Sequence, residues 1–516
     1  MGRRRIFVDS SPFEVRHRPQ KNQRYENGLQ ATPGTMTQFR LFLAGLLALH
    51  LGIGTAQSIT VSDPIQIRND YGYEIIGRLK DRVLVFRDRY DNFEIQAFDQ
   101  QLRMAWNKEL EDLSRQNTRV LSVIPGKNDF SILYSQRIRG KHFLRIHKYD
   151  PAAVLIDTAT IKIYGERTFS PPLLETCLSE DRNCVAVYNL GERDKIEVVC
   201  FKIDQMKLLW DKTALYEQTI NDRSLAGVTV NNHGSFFITT EYDNKKPKID
   251  QHRWHILKIE PEKEEVLKLS LAGFFTTDVK FAYDHSNQCL TAAGLWGEKT
   301  RERANGTFLV KTYQEDGSAA TLKRTAFDDQ LISVLRNKDV EGDSKGIDNA
   351  DLAQLLLRED GGAALLVERH YEIQRGAGNP SRIMRDVRLV TDYYYEDVFM
   401  VSLSPEGNVD WSSVLHKKQY SQDDEAIFSS YFLMRSPKQL HFLFNDEIRY
   451  ENTCSEYVVL PNGKFDRNSL LSTVNKGLRI RFRDGVQISA NECLIPSENR
   501  SKLRLVSVQW PRFSPN

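Results

Sequence analysis

A strand–turn–strand unit returns along the chain at a nearly constant spacing, and this repeat restricts the possible folds more than any other feature. The stretch "FMVSLSPEGNVDWSSVL" at 399–415 has an apolar strand, a tight turn and a second strand that carries a tryptophan. Equivalent turns lie at Asp99, Asp150, Asp204, Glu260, Glu315, Pro405 and Pro461, with gaps of 51, 54, 56, 55, 90 and 56 residues. A period in the fifties made of strands and turns predicts four-stranded propeller blades. The long gap is one period plus an insertion of roughly 35 residues.

A second set of turns precedes these units, at 79–82, 125–129, 179–183, 231–234, 284–287, 358–362 and 436–439. Each is rich in Gly, Asn, Asp or Pro and lies between apolar runs such as "RVLVF" and "FSILY", which is the pattern of a β-hairpin. With the strands of a blade called A to D, these turns join A to B and the first set joins C to D. We expect both sets to be tight, which leaves little room for a site on their face.

The carboxyl-terminal segment supplies about three strands beyond the seventh unit, in "LRIRFRDGVQIS", "ECLIPS" and "KLRLVSVQW". The stretch "ITVSDPIQIRN" at 59–69 can add the fourth and close the ring, which removes the exposed sheet edges. The sequence therefore predicts an all-β propeller of eight blades, with seven blades or two β-sandwich domains as alternatives. We expect Trp106, Trp210 and Trp411 to pack between neighbouring blades.

The amino-terminal region predicts export. Residues 36–57 contain a basic entry at Arg40, an apolar run and the small-residue exit "GTAQS", which is the pattern of a secretory signal peptide. Residues 1–35 are interpreted as a disordered or mis-annotated leader. Residues 58–516 are then one propeller domain with insertions at 328–350 and 370–391. A periplasmic, cell-surface or secreted location is expected, without an integral membrane segment after cleavage.

Charge and cysteine content restrict the chemistry. Without residues 1–57 the chain has 63 basic and 66 acidic residues, so a nucleic-acid partner is not expected. In an exported chain, Cys177 could pair with Cys184 across a hairpin, and Cys200 competes as a partner. No CxxC motif is present, and neither a metal nor a cofactor is predicted.

Long segments are expected on the face of the B–C and D–A connections. They are the B–C segments 136–142, 243–253, 296–306 and 369–386, and the D–A link 336–351. When one face of a scaffold has long segments and the other has only short turns, the face with the long segments usually carries the function. The B–C segments are basic and the D–A link is acidic, so they either pair with each other or form a polarised rim. The candidate binding residues are Lys245, Lys246, Lys248, Arg301, Arg303, Arg369, His370, Tyr393, Tyr395 and Glu396.

Sequence motifs do not identify catalytic residues. "GDSKG" at 342–346 matches G-x-S-x-G but lacks the preceding hydrophobic strand and following helix of a nucleophile elbow. "HRWH" at 252–255 places its two histidines on opposite sides of a strand, where they cannot bind one metal.

One resemblance covers about residues 356–418, in the stretch "LREDGGAALLVERHYE…DYYYEDVFMVSLSPEGNVDWSSVLHKKQ". The acidic-Gly-Gly turn, the following Glu, the Tyr-rich strand and the Trp hairpin stand in an order that resembles a family of uncharacterised exported bacterial β-propeller-like proteins. The resemblance implies export and a propeller, and it implies no activity.

The sequence thus favours a non-enzymatic binding or scaffold propeller outside the cytoplasm. It would engage a protein, peptide or glycan through its long-loop face. The alternative is a hydrolase or lyase with a site in the central channel. Carboxylates and His or Tyr side chains that converge on one pocket would favour the enzyme.

Overall fold

The computed structural model describes residues 57–165, 172–192, 195–215, 224–313, 319–337, 345–377, 388–448 and 453–511. These residues form eight antiparallel blades of four strands each, so the predicted eight-bladed propeller is confirmed. Strand A is innermost and strand D outermost in each blade. Residues 57–516 make up one compact unit. The predicted leader at 1–35 and all of the predicted signal peptide except Gln57 lie outside the described residues.

The first four blades follow one another along the chain, and each has its strands in the order A to D. Blade 1 consists of Asp70–Leu79, Arg82–Arg89, Phe93–Phe98 and Met104–Glu109. Blade 2 consists of Thr118–Pro125, Phe130–Ile138, Lys141–Tyr149 and Leu155–Tyr164. Blade 3 consists of Leu174–Leu178, Cys184–Glu192, Lys195–Lys202 and Lys207–Leu215. Blade 4 consists of Leu225–Val230, Phe236–Tyr242, Arg253–Ile259 and Glu264–Ser270.

Blade 5 consists of Phe275–Asp284, Cys289–Gly297, Gly306–Thr312 and Thr321–Ala326. Blade 6 consists of Ala350–Leu357, Ala363–Ala377, Arg388–Leu403 and Val409–Leu415. Blade 7 consists of Tyr431–Arg435, Leu440–Asn445, Thr453–Val459 and Phe465–Ser472. Blade 8 consists of Val486–Ser489, Glu492–Asn499, Lys502–Gln509 and Ser58–Val61.

Short elements lie between and beside the blades. Strands Ile65–Gln66, Arg303–Ala304, Ile347–Asp348 and Gln419–Gln422 add two to four residues each. Two 3-10 helices span Lys248–Gln251 and Phe482–Asp484. Helix α1 spans Asp329–Arg336. It begins where the Asp328 side chain accepts a hydrogen bond from the Leu331 N–H at 2.6 Å, and it ends at Asn337, which has a φ of +52°.

The ring closes as the sequence predicts. Strand Ser58–Val61 pairs antiparallel with Lys502–Gln509, so the first described strand is the outermost strand of the last blade. Ser62 continues the contact, because its N–H donates to the Leu505 oxygen at 2.9 Å and its Oγ accepts from the Leu505 N–H at 2.8 Å. Ile65 is 5% exposed and packs between blades 8 and 1. Closure therefore joins residues more than 440 positions apart in the sequence.

Apolar side chains from neighbouring blades make the core. Eight buried hydrophobic clusters occur among the described residues, one at each junction between adjacent blades. Trp106, Trp210 and Trp411 pack at the junctions 1/2, 3/4 and 6/7, as expected. Burying apolar surface stabilises the folded state by about 25 cal/mol per Å², so these junctions are the main stabilising contacts.

Candidate functional site

The connection between strands B and C of blade 6 differs from the sequence prediction. A long B–C loop was expected at 369–386, but strand B continues to Ala377 and strand C begins at Arg388. Strand Gln419–Gln422 then pairs with Asp392–Tyr395 of strand C. We call the resulting three strands, 370–377, 388–395 and 419–422, the blade 6 extension. The expected B–C loop at 136–142 is also wrong, since Ile138 and Lys141 pair around a two-residue turn.

A cavity of about 530 Å³ opens beside this extension, where the inner strands of blades 6, 7 and 8 begin. We call it the mouth pocket. Its walls come from the first residues of the inner strands, including Asp351 and Tyr431, and from the residues that precede blade 8, including Arg483. Glu368, His370 and Tyr395 of blade 6 also line it. It thus lies on the face of the B–C and D–A connections.

Glu368, which lines the mouth pocket, belongs to a buried ion pair. The Lys417 Nζ lies 2.7 Å from the Glu368 Oε1, and both side chains are almost fully buried. Ser430 Oγ donates to the Glu368 Oε2 at 2.5 Å, and Lys417 Nζ donates to the Gln419 Oε1 at 3.1 Å. Burial lowers the pKa of Lys417, while Glu368 opposes that effect. Removing one partner of such a pair costs about 3–5 kcal/mol because the other charge stays buried.

The Tyr431 hydroxyl is an unsatisfied polar group in the wall of the pocket. Tyr431 is 6% exposed, and its hydroxyl has no hydrogen-bond partner among the described residues. Burial, together with the charge of Glu368, raises the pKa of Tyr431 well above its usual value, so the hydroxyl stays protonated. A buried hydroxyl without a partner costs about 1–3 kcal/mol, which a ligand acceptor could recover.

Aromatic and ionisable side chains form the wall. The His370 ring stacks on Tyr395 with 4.9 Å between ring centroids and an 8° interplanar angle. His370 Nδ1 lies 3.1 Å from the Asp351 Oδ2. Burial is the main cause that raises the pKa of Asp351, Glu368 raises it further, and His370 opposes both. The Arg483 guanidinium lies 5.2 Å from the Tyr395 ring centroid, and among the described residues it makes no ion pair.

Other predicted residues of blade 6 adjoin the pocket without lining it. Arg369 lies 3.2 Å from Glu396 and donates to the Leu335 oxygen at 2.8 Å, so it fastens helix α1 to blade 6. Tyr393 is half-buried and lies opposite Glu372, where strands B and C of blade 6 pair. The structure thus brings His370 and Tyr395 together in the pocket and gives Arg369 and Glu396 a mutual contact beside it.

The remaining predicted residues lie on the loops of blades 4 and 5. Lys245 and Lys246 are exposed, and Lys248 lies 3.0 Å from Asp243. Arg301 lies 3.6 Å from Glu241. Arg303 lies 2.7 Å from Asp348 and adjoins a cavity of about 450 Å³. Of the two expected arrangements, pairing of a basic B–C segment with the acidic D–A link is observed at Arg303 and Asp348. Lys248 and Arg301 instead pair with the blade 4 acids Asp243 and Glu241.

The face of the A–B and C–D turns leaves more room for a site than the sequence predicts. A cavity of about 780 Å³ lies there between blades 4 and 5, beside Asn231, Glu260, His285 and Tyr313. Its charged side chains satisfy one another: Lys258 lies 3.0 Å from Glu260, and Lys263 pairs with Glu265. The Tyr313 hydroxyl donates to the Ile256 oxygen at 2.9 Å. This cavity therefore offers fewer unpaired groups than the mouth pocket.

The cysteines are free thiols in the structure. Cys177 lies opposite Ala186 and Cys184 opposite Lys202, so the expected direct facing of Cys177 and Cys184 is wrong by two positions. Within the described ranges, no three His, Cys, Asp or Glu side chains are placed to hold a metal ion.

Sequence reasoning missed Asp351, Glu368, Lys417, Tyr431 and Arg483. Glu368 was visible as the acid in the apolar run "ALLVERH" of strand B, where a buried charge requires a partner. Lys417 and Arg483 gave no comparable signal, since both stand among other charged residues in segments without clear periodicity.

Comparisons with known proteins find distant likenesses to solved structures and do not identify a family. No family model and no curated protein matches the chain. BamB from Moraxella catarrhalis is 12% identical with a TM-score of 0.38, over 88% of this chain and 100% of that chain. An uncharacterised protein from Listeria monocytogenes EGD-e is 8% identical with a TM-score of 0.33, over 69% and 83%. Prolyl oligopeptidase B from Galerina marginata is 7% identical with a TM-score of 0.34, over 90% and 59%.

No helix within the described ranges has both the length and the apolar character needed to cross a membrane.

Proposed function

We propose that this protein is a binding propeller that acts outside the cytoplasm and holds a partner protein on the face of the mouth pocket. The observation that carries the proposal is the pocket itself, with an unpaired Arg483 guanidinium and an unpartnered Tyr431 hydroxyl among the described residues. The apolar run and small-residue exit of 36–57 support export.

The chemistry of the pocket indicates what it can hold. Arg483 offers a planar, permanently charged donor for a carboxylate, and Tyr431 offers a buried O–H donor. His370 and Tyr395 supply a flat aromatic wall against which an apolar or aromatic side chain can pack. An acidic side chain or a chain-terminal carboxylate next to an apolar residue fits all of these groups, so a polypeptide partner is favoured over a neutral glycan.

Capture of the native partner from an envelope fraction tests the proposal. The variant Arg483→Ala should weaken capture at least tenfold, because one charge-assisted hydrogen bond contributes about 1.5–3 kcal/mol. The double variant Lys127→Ser with Lys438→Ser is the matched control, since both lysines are exposed on the opposite face. If the control abolishes capture and Arg483→Ala does not, the binding face is the other one.

A second function, hydrolase or lyase, is favoured by the convergence of Asp351, Glu368 and His370 on one pocket. The 3.1 Å contact between His370 and Asp351 resembles the arrangement of a general base and the group that orients it. In this alternative, His370 Nε2 would take a proton from a water or a substrate hydroxyl.

Chromogenic glycosides and fluorogenic peptides, incubated with the wild-type chain and with His370→Ala, separate the two functions. Turnover that His370→Ala abolishes would establish the enzyme. Retained partner capture without turnover would establish the binding protein.

A further inference from the structure

Strand B of blade 6 continues beyond the strand that pairs with it on its inner side. Strand A pairs with it only up to Ala350, which lies opposite Arg369. One further hydrogen bond follows, from the His370 N–H to the Asn349 oxygen at 3.1 Å. Asn349 has a φ of +57°, and the residues before it, Ile347–Asp348, pair with Arg303–Ala304 of blade 5 instead. From Tyr371 onward, strand B therefore pairs with strand C alone among the described residues.

The open side presents a regular row of backbone groups. Successive N–H groups along a strand point to alternate sides, and the His370 N–H points toward strand A. The N–H and C=O groups of Glu372, Gln374 and Gly376 therefore point to the same side, where no described residue pairs with them. The far side of the extension is covered by Gln419–Gln422. Among the described residues, the extension thus has an open edge at 371–377.

Side chains along this edge favour a strand as the occupant. Tyr371 stacks on Tyr394 with 4.8 Å between centroids, and Ile373 on the same side of the extension is 45% exposed. Arg375 pairs with Asp392, so its charge is already compensated. An added strand would find hydrogen-bond partners along its backbone and an apolar surface under alternate side chains.

We propose that the open edge at 371–377 binds an extended segment of a partner protein as an added β-strand, with apolar residues at the alternate positions that meet Tyr371 and Ile373. The proposal rests on the proposed function in that it places the partner on the same face. The edge begins next to His370, which lines the mouth pocket, so a bound segment could place one side chain in that pocket.

The test uses the full chain and a displayed library of random twelve-residue peptides. A synthetic peptide that is selected from the library is titrated, and amide hydrogen exchange is measured with and without it. We expect exchange at Glu372, Gln374 and Gly376 to slow at least tenfold in the complex. Gln374→Pro should weaken binding at least tenfold, because proline removes an outward N–H and leaves the ladder with strand C intact. The matched control Gln374→Ala keeps that N–H and should bind normally.

Several outcomes would overturn the proposal. They are failure to select any peptide, unchanged exchange at the three amides, or equal binding by Gln374→Pro and wild type. Amides that are already protected in a dimer of the chain, seen by sedimentation, would assign the edge to a second copy. If Gln374→Pro does not fold, the exchange result on the wild type decides. Envelope capture that depends on Arg483 but not on Gln374→Pro would remove this proposal and leave the proposed function standing.

Discussion

Removal of the closing strand is the sharpest test of how this ring is held together. Deleting Ser58–Gln66 takes away the outermost strand of blade 8, which pairs over four residues with Lys502–Gln509. It also removes the buried Ile65 side chain and the partly buried Ile59 and Val61. The deletion opens a sheet edge and exposes apolar surface on blades 8 and 1.

The loss of stability that the deletion causes can be estimated from these contacts. Loss of Ile65 costs about 2–3 kcal/mol, and the two partly buried side chains cost about 1 kcal/mol each. About four hydrogen bonds contribute ~1 kcal/mol apiece, for a total of about 8 kcal/mol. The compact unit of about 460 residues has an unfolding entropy near 1 kcal/mol/K, so Tm should fall by about 8 °C if the ring unfolds as one unit.

Differential scanning calorimetry measures this effect, and light scattering measures the aggregation that an open edge promotes. The control is Asp63→Ala, an exposed residue next to Ser62, which should leave Tm within about 1 °C. An unchanged Tm in the deletion variant would show that the first strand does not close the ring.

Three further predictions concern export, pH and the loop lysines. Amino-terminal sequencing of the exported protein should find cleavage near Ala56 or Gln57, and a cytosolic product that retains 41–57 would contradict the location. Burial lowers the pKa of His252 to about 4, so the folded state binds fewer protons than the unfolded state between pH 6.5 and 4. Stability should therefore fall by about 3 kcal/mol as pH drops through that window, and His252→Asn should flatten this slope in calorimetric scans from pH 7 to 4. Replacing Lys245, Lys246 and Lys248 by Ser should leave Tm unchanged but weaken partner capture, whereas Lys127→Ser with Lys438→Ser should not; equal capture by both would exclude these lysines from the interface.

The blade count could be predicted from the sequence because it depends on local patterns, and ring closure could be predicted because strands are left over at both ends of the repeat. Turn residues recur where a left-handed backbone is needed, as at Gly407 and Gly463, which have φ values of +82° and +79°. Between the turns, apolar runs of strand length return at the period of a blade. A chain with seven such units and leftover strands at both ends has one economical way to avoid open edges, which is to pair the ends.

The blade 6 extension could not be predicted, because its strands lack the signal that sequence analysis uses. Glu372, Ile373, Gln374 and Arg375 are all exposed, so no buried face imposes an alternation of apolar and polar residues. The tertiary structure decides instead: strand C, held in blade 6 by its apolar second half, supplies the ladder that keeps 370–377 extended.

The mouth pocket likewise exists only in the folded ring. Asp351, Glu368, Tyr395, Tyr431 and Arg483 are spread over more than 130 positions, and three different blades bring them together. The period and the turns could be read from the sequence because each depends on neighbouring residues. The closing strand could be read because it is left over at one end of the repeat. Which charges are paired and which face a cavity was decided by the tertiary structure. The Glu368 partner of Lys417 lies on another strand, and the Tyr395 ring beside Arg483 lies on another blade, at separations that the local sequence does not encode.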